Sequence, residues 1–559
     1  MARASNAFAP KSVGASQGKY AVFRGLTGSV GNARTPVNTH VPVTFARHVR
    51  RAGWDGSEMA DYDLAIIGGG INGCGVARDA AGRGLSVFLA EQGDLASATS
   101  SASTKLIHGG LRYLENFHFR LVRESLRERD HLLTLAPHLV RPVRFVMPHV
   151  RGMRSAWTLR AGFALYDWFG ADERLPRTRA LDLADDPAGA PLKSGFGLGF
   201  EYSDCIADDA RLVIANAIDA REKGAEIRTR TRCAAARRED GRWHLVVQSG
   251  GKRETITARA LVNAAGPWVA RVIETVVRRR PGGNARLVKG SHIVLPRLHA
   301  HDRAYVLQND DGRFVFAVPF ADDFTLVGTT EIEVSGDAGE VAASSDEILY
   351  LCRAASAFFR AQVKPSKVKW TYAGVRTLID DGSSKPSEVT RDYWIDVDGS
   401  YGDPPLLSIF GGKLTTYRAL AEKIVDKLRH WLVFGPPWTA REPLPGGDLG
   451  ARGVDGLVDE LRGVHPYLAE AHARRLARTY GTRAWSLLGG AKRHEDLGTR
   501  IVGNLHQQEL DYLRRHEWAA SVEDVLWRRT KLGLVATASE VEALHAAMAS
   551  GESATKLAG

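Results

Sequence analysis

Residues Gly68-Gly69-Gly70-Ile71-Asn72-Gly73 follow the spacing G-x-G-x-x-G. That spacing carries chemistry in one setting, where it ends a buried strand and opens a helix. The apolar run 62–68 (YDLAIIG) precedes it, and 72–84 reads as a helix with Gly73, Ala77, Ala80 and Ala81 on one face. A second apolar run, 85–90 (LSVFLA), completes a strand–helix–strand unit. Gly68 permits the tight turn, Gly70 lets backbone approach a pyrophosphate, and Gly73 lets helix and strand pack closely. The helix N-terminus then offers unpaired N–H groups and its positive end to phosphates. Glu91, at the end of the second strand, can accept hydrogen bonds from ribose hydroxyls and would repel a 2′-phosphate. These residues predict a dinucleotide site.

The rest of the chain decides which dinucleotide. The run 98–105 (ATSSASTK) supplies hydroxyls at Thr99, Ser100 and Ser103, and it leads to His108-Gly109-Gly110. A second glycine-marked strand end lies at 261–268 (LVNAAGPW), with Ala265 and Gly266. A third lies at 410–417 (FGGKLTTY), with Gly412, Lys413, Leu414 and Thr415. Three such ends from distant parts of one chain fit a long dinucleotide across a composite domain. They favour FAD over a nicotinamide cofactor. Asp208-Asp209 precedes Arg211 without a third ligand at helical or strand spacing, so a helix cap is expected there and no metal.

The elements that position these residues form an α/β plan. Alternation over 286–334 suits antiparallel strands, 117–135 suits an amphipathic helix, and the pattern turns helical after Pro436-Pro437 and 444–447 (LPGG). The expected fold is a discontinuous Rossmann-like FAD-binding domain, an antiparallel-sheet substrate domain and a C-terminal helical domain. Expected bounds are 1–58 for a basic leader and 59–437 for the FAD-binding domain. The substrate part is interleaved at roughly 140–200 and 280–370, and 438–545 forms the helical domain.

Composition bounds the alternatives. With 44% hydrophobic and 25% charged residues, the 559-residue chain is too apolar to be mostly disordered. No run of about 18 uncharged apolar residues exists to form a membrane-spanning helix. Four scattered cysteines without a C-x-x-C exclude a disulfide framework or thiolate zinc site. The formal charge of +11 falls to +3 once the eight basic residues of 1–54 are set aside. That leader has a transit-peptide composition, but a disordered extension or an upstream start before Met59 is preferred. Arginine pairs near the C-terminus alternate with acids, as on a solvated helix, so nucleic acid is not an expected partner. Residues 150–170 combine Arg151, Arg154 and Arg160 with Trp157, Phe163, Trp168 and Phe169. That mixture suits either a membrane surface or a helix packed on the protein's own core.

Longer motifs carry a resemblance. IIGGGINGCGVARDAAGRGLSV, ATSSASTKLIHGGLRYLE, EYSDC, DDARLV, NAAGPWV, KGSHIVLP, VGTTE, GVR, TRDY and FGGKLTTYR stand in this order from about 61 to about 534. The chain resembles the FAD-dependent glycerol-3-phosphate dehydrogenases of the D-amino-acid-oxidase-like superfamily. The chain lacks the D-x-[DN]-x-[DN]-G loop of the calcium-binding extension on the mitochondrial forms, so the bacterial type is the nearer match. The resemblance implies oxidation of sn-glycerol 3-phosphate to dihydroxyacetone phosphate, with electrons passing through FAD to membrane quinone. It also implies a peripheral position on the cytoplasmic face of the inner membrane, often as a homodimer.

By the same resemblance Arg112, Arg376 and Arg391 hold the phosphate or substrate oxygens. Arginine's planar fork meets phosphate bidentately and keeps its charge. Lys413 lies near the flavin, and Tyr113 adds a hydroxyl. A histidine titrating near neutrality can take the hydroxyl proton. Of His108 and His292, the latter, on a predicted strand in KGSHIVLP, is preferred. Alternatives are an oxidase of the same fold using oxygen, an amino-acid or amine oxidase, and a flavin-binding regulator without turnover.

Overall fold

The strand β1 (Ala60–Ile67) leads through Gly68–Gly70 into helix α1 (Ile71–Gly82), and β2 (Val87–Ala90) follows. The computed structural model describes residues 60–556 apart from 115–116, 151, 171, 284, 380–391 and 401. The basic leader therefore lies outside the described residues, as does Arg391. β1 pairs in parallel with β2, Leu64 opposite Val87, and on its other side with Lys252–Asn263, Leu64 opposite Ala260. Leu64, Ala65 and Ile66 are fully buried, as strands covered on both faces must be. The sheet runs Trp394–Asp398, Leu406–Phe410, Lys252–Asn263, β1, β2, Glu226–Arg228, with an antiparallel hairpin (Arg232–Glu239, Arg242–Ser249) added at Lys252–Asn263.

Small residues set how close the helices come. A Cβ on Gly75 of α1 would stand 2.8 Å from the Tyr417 ring, so the helix Tyr417–Lys427 can lie against α1 only because Gly75 is bare. Asp209–Glu222 packs on α1 as well, and the buried Arg78 of α1 reaches Asp219 at 2.5 Å. Asp208 caps this helix by accepting from the Arg211 N–H at 3.1 Å, as its sequence position predicts.

The second sheet is built mainly of antiparallel strands. Ala285–Pro296 lies between Phe324–Gly328 and Trp370–Ile379, with His292 opposite both Gly328 and Tyr372, and Val288 opposite Arg376. Phe314–Phe320 and Ala304–Gln308 continue the sheet to Val140–Pro148 and Leu198–Ala207. Ala304–Gln308 departs from the alternation by pairing in parallel with Val140–Pro148. Short Leu106–Ile107 carries this sheet's edge to the nucleotide side.

The C-terminal part has its own apolar core, including Leu457, Leu461, Leu476, Tyr480, Leu510 and Leu513. A two-stranded ribbon, Arg500–Val502 with Leu505–His506, interrupts the helices that sequence alone predicts there. The segment 150–170 contains the helix Ala156–Phe169, capped by the Ser155 hydroxyl. Only part of it is core: Phe163 and Tyr166 are buried, while Trp157 (77% exposed) and Trp168 (74%) face outward. No helix among the described residues is long and apolar enough to cross a membrane.

Candidate active site

Gly68 ends β1 at φ +113°, and a Cβ there would stand 2.5 Å from the Ala264 carbonyl. Only glycine lets the two parallel strand ends lie this close. A Cβ on Gly73 would land on the Gly68 carbonyl, so α1 can start directly over the turn. Gly70 is the N-cap with no side-chain cap, and the Ile71 N–H donates to the Ser100 hydroxyl at 3.0 Å. Glu91 accepts from the Gly69 N–H (2.6 Å) and the Gly93 N–H (2.7 Å). Burial raises its pKa and these two donors partly offset that rise. Each oxygen retains a lone pair for a further donor.

The other two glycine-marked ends meet this one. Asn263 accepts from the Ala265 N–H, and Gly266 at φ +55° opens the turn Gly266–Trp268. Gly411 and Gly412 also have positive φ, and the Asn72 amide of α1 donates to the Gly411 carbonyl at 3.3 Å. One cavity of about 1860 Å³ runs past all three ends. Its wall includes Gly68, Gly70, Glu91, Thr99, Ser100, Ser103, Gly110, Ala265, Gly266, Gly412, Lys413, Leu414 and Thr415. Gly73 and Gly109 stand behind the wall. The Gly109 N–H donates to the Tyr166 hydroxyl (2.9 Å), which donates to Asp204 (2.6 Å). A glycine cradle, a helix N-terminus and a buried carboxylate at Glu91 on the wall of one large cavity fit FAD.

The same cavity gathers charge. Arg376, on Trp370–Ile379, approaches the Thr329 hydroxyl (3.4 Å) and Glu331 (3.7 Å). Lys413 stands over the Tyr113 ring at 3.9 Å. His108 lines the same wall, its backbone N–H donating to the Thr415 hydroxyl at 3.2 Å. Burial, then Lys413 and Arg376, push the His108 pKa down to about 4, so the ring is neutral at pH 7. Arg112 belongs to the turn Leu111–Leu114, between cavity-lining Leu111 and Tyr113.

His292 is placed differently from the sequence expectation. It is 1% exposed and lies one layer behind the wall. Its Nε2 meets the Thr104 hydroxyl at 2.9 Å and its ring stacks on Tyr372 at 4.8 Å. Burial, then Arg376 and Lys105, hold its pKa well below the usual value. Thr104 and Tyr372 face the cavity in its place, and of the two candidate histidines His108 is the one on the wall.

Sequence reasoning gave no role to Thr329, Glu331 or Gln308 on the cavity wall, although VGTTE was part of the resemblance. Nor did it find the support behind them. Glu347 accepts from the hydroxyls of Ser291 and Thr330, each at 2.8 Å, and pairs with Lys289 at 2.8 Å. Burial opposes its ionisation, but Lys289, the Ser344 N–H and the two hydroxyls outweigh this and hold its pKa to about 2. Asp209, read only as part of a cap, also binds the buried Lys105 at 2.7 Å.

Comparison with known proteins agrees with this geometry. Residues 63–418 match the family described as FAD dependent oxidoreductase, and the chain belongs to that family. Residues 437–553 match the C-terminal domain of alpha-glycerophosphate oxidase. The chain is 53% identical to the glycerol-3-phosphate dehydrogenase of Pseudomonas aeruginosa over 86% of its own length and 93% of the relative's. It is 48% identical to the D-erythritol 1-phosphate dehydrogenase of Brucella abortus, covering 87% and 97%. The FAD-complexed glycerol-3-phosphate dehydrogenase of Bacillus halodurans superposes with a TM-score of 0.69 at 28% identity, covering 88% of this chain and 91% of that one.

Proposed function

We propose that the protein oxidises sn-glycerol 3-phosphate to dihydroxyacetone phosphate and passes the electrons to a quinone at a membrane surface. One observation carries this reading: a neutral histidine, an arginine and a lysine gather on the wall of the same cavity that holds the dinucleotide cradle. The names of the 53% and 28% identical relatives support the substrate. Arg376, together with Arg112 and Arg391, grips the phosphate and turns the carbinol carbon toward the cofactor. His108 accepts the hydroxyl proton at an imidazole nitrogen. Charge from the bound dianion offsets that of Arg376 and Lys413, so substrate binding makes His108 a better base. Lys413 and Tyr113 belong to the wall that would hold FAD, and Glu331 with Thr329 fixes the Arg376 fork. FAD, when bound, supplies the acceptor for the hydride.

The quinone reading rests on the apolar part of the cavity wall. This wall continues to Phe117, Phe119, Met153, Arg154, Leu159 and Gly162, under the helix Ala156–Phe169. Outside stand Trp157, Trp168 and Phe117, each about three-quarters exposed. Trp157, Ala161, Ala164 and Trp168 recur on one helical face, with Arg160 beside Trp157 at 5.2 Å. Interfacial tryptophans with arginine suit the boundary of an anionic bilayer, and the protein would work there as a peripheral homodimer at the cytoplasmic face.

The test is anaerobic addition of sn-glycerol 3-phosphate to the purified yellow protein, with D-erythritol 1-phosphate as comparator. Bleaching by the three-carbon ester at the lower concentration is expected, followed by faster reoxidation with a soluble quinone than with air. No bleaching removes the substrate. Faster reoxidation by oxygen makes the protein an oxidase.

A further inference from the structure

The C-terminal part does more than pack beside the cofactor domain. Glu523, Trp527 and Arg528 form part of the cavity wall. They belong to, or directly precede, the turn Asp524–Arg529. This turn grips two elements that both contribute to the cavity wall.

The first grip is electrostatic. Asp94 lies in the loop after β2, three residues beyond Glu91, and its side chain is buried. Arg529 holds it with two nitrogens, at 2.6 and 2.8 Å, and Arg528 adds a third bond at 2.6 Å. The same loop carries Gln92, Gly93 and Ser97 along the cavity. Its backbone is tied to the nucleotide turn by the Ala96 N–H on the Gly69 carbonyl at 3.1 Å. Fixing Asp94 therefore fixes the loop on which Glu91 and Gly93 meet. A buried ion pair of this kind adds little to stability compared with apolar packing, but it does define position.

The second grip is aromatic. The Trp527 ring stacks on Trp370 with centroids 4.5 Å apart and planes 19° from parallel. Trp370 starts the strand whose Gly374, Val375, Arg376 and Thr377 line the cavity. One short turn thus holds the nucleotide loop with two guanidiniums and the catalytic-side strand with a ring. Asp524 locks the turn itself by accepting from the Ala520 and Ser521 N–H groups and pairing with Arg230 at 2.6 Å.

We infer that Asp524–Arg529 is a cofactor clamp. Arg528 and Arg529 act as positioning residues through Asp94, Trp527 acts through Trp370, and together they set how tightly FAD is retained. This rests on the FAD cavity and not on the choice of substrate. Its test uses flavin alone and so fails separately from the reaction proposed above. Full-length protein carrying Arg528→Gln, Arg528→Lys or Trp527→Ala is stripped of flavin and titrated with FAD by fluorescence quenching. The melting temperature is measured with and without saturating FAD. Arg528→Gln and Trp527→Ala are expected to raise the FAD dissociation constant about tenfold and to shrink the rise in Tm on adding FAD. Arg528→Lys should recover part of the affinity. Unchanged dissociation constants overturn the clamp, as do equal Tm losses with and without FAD, since plain packing would give the same result. Should Arg528→Gln not fold, Trp527→Ala alone decides.

Discussion

His108 and His292 are both neutral and both depressed by burial and by Arg376, yet only one of them touches the cavity. Strand parity does not separate the candidates. His292 shares its parity with Gly290, which does line the wall, and it is kept back by Thr104, from a segment crossing the sheet, and by the Tyr372 ring. That crossing depends on residues almost 190 positions away, which no local pattern records. Replacing His108 by Gln should lower turnover about 100-fold or more with a smaller change in KM, while His292→Gln should act chiefly on stability. Steady-state kinetics beside thermal melts distinguish the two. The sign of the pH effect follows from the depressed pKa. His108 in the free protein stays unprotonated down to about pH 4, so kcat/KM should hold through mild acid. Below the unfolded-state pKa the unfolded chain gains a proton that the folded chain refuses. His108 therefore costs stability progressively as pH falls toward 4. Arg376→Gln removes one of the depressing charges and should move the acid limb of kcat/KM to higher pH.

The elements around the nucleotide were legible because backbone sterics leave little freedom there. Gly68, Gly70 and Gly73 each answer to a specific close approach, and a motif whose residue types are dictated by atoms within 4 Å can be read from the chain alone. Gly73→Ala should cost about 1–3 kcal/mol and weaken FAD binding, because α1 must retreat from the Gly68 carbonyl. Calorimetry with and without FAD measures both effects. The substrate sheet was legible as antiparallel strands but not in its order. The parallel pairing of Ala304–Gln308 with Val140–Pro148 joins segments far apart in sequence, and alternation fixes faces without fixing neighbours. The ribbon at Arg500–His506 was hidden because its strands have only three and two residues.

Across the whole molecule, the surface helix and the active site are mechanically joined. Phe163 and Tyr166 on the inner face of Ala156–Phe169 are buried, and Tyr166 holds the Gly109 N–H, while the outer face presents Trp157 and Trp168. The sequence showed the mixture of arginine and aromatic residues but not this division, because an apolar helix reads alike whether it covers a core or faces lipid. Trp157→Ser with Trp168→Ser should weaken binding to anionic vesicles about 100-fold and leave flavin reduction by a soluble substrate near the parent rate. Co-sedimentation and stopped-flow absorbance give the two numbers.

The hydrogen bond from Asn72 to Gly411 spans 339 positions. A ribosome delivering this chain releases the dinucleotide turn early, yet the partner that completes the cleft emerges only after most of the polypeptide has been synthesised. Until Lys252–Asn263 has emerged, β1 lacks its second neighbour, and Leu406–Phe410 in turn pairs only with Lys252–Asn263 on that side. The time between those two moments is when the nascent protein most needs a chaperone, and a synonymous codon change that slows elongation between 91 and 405 lengthens it.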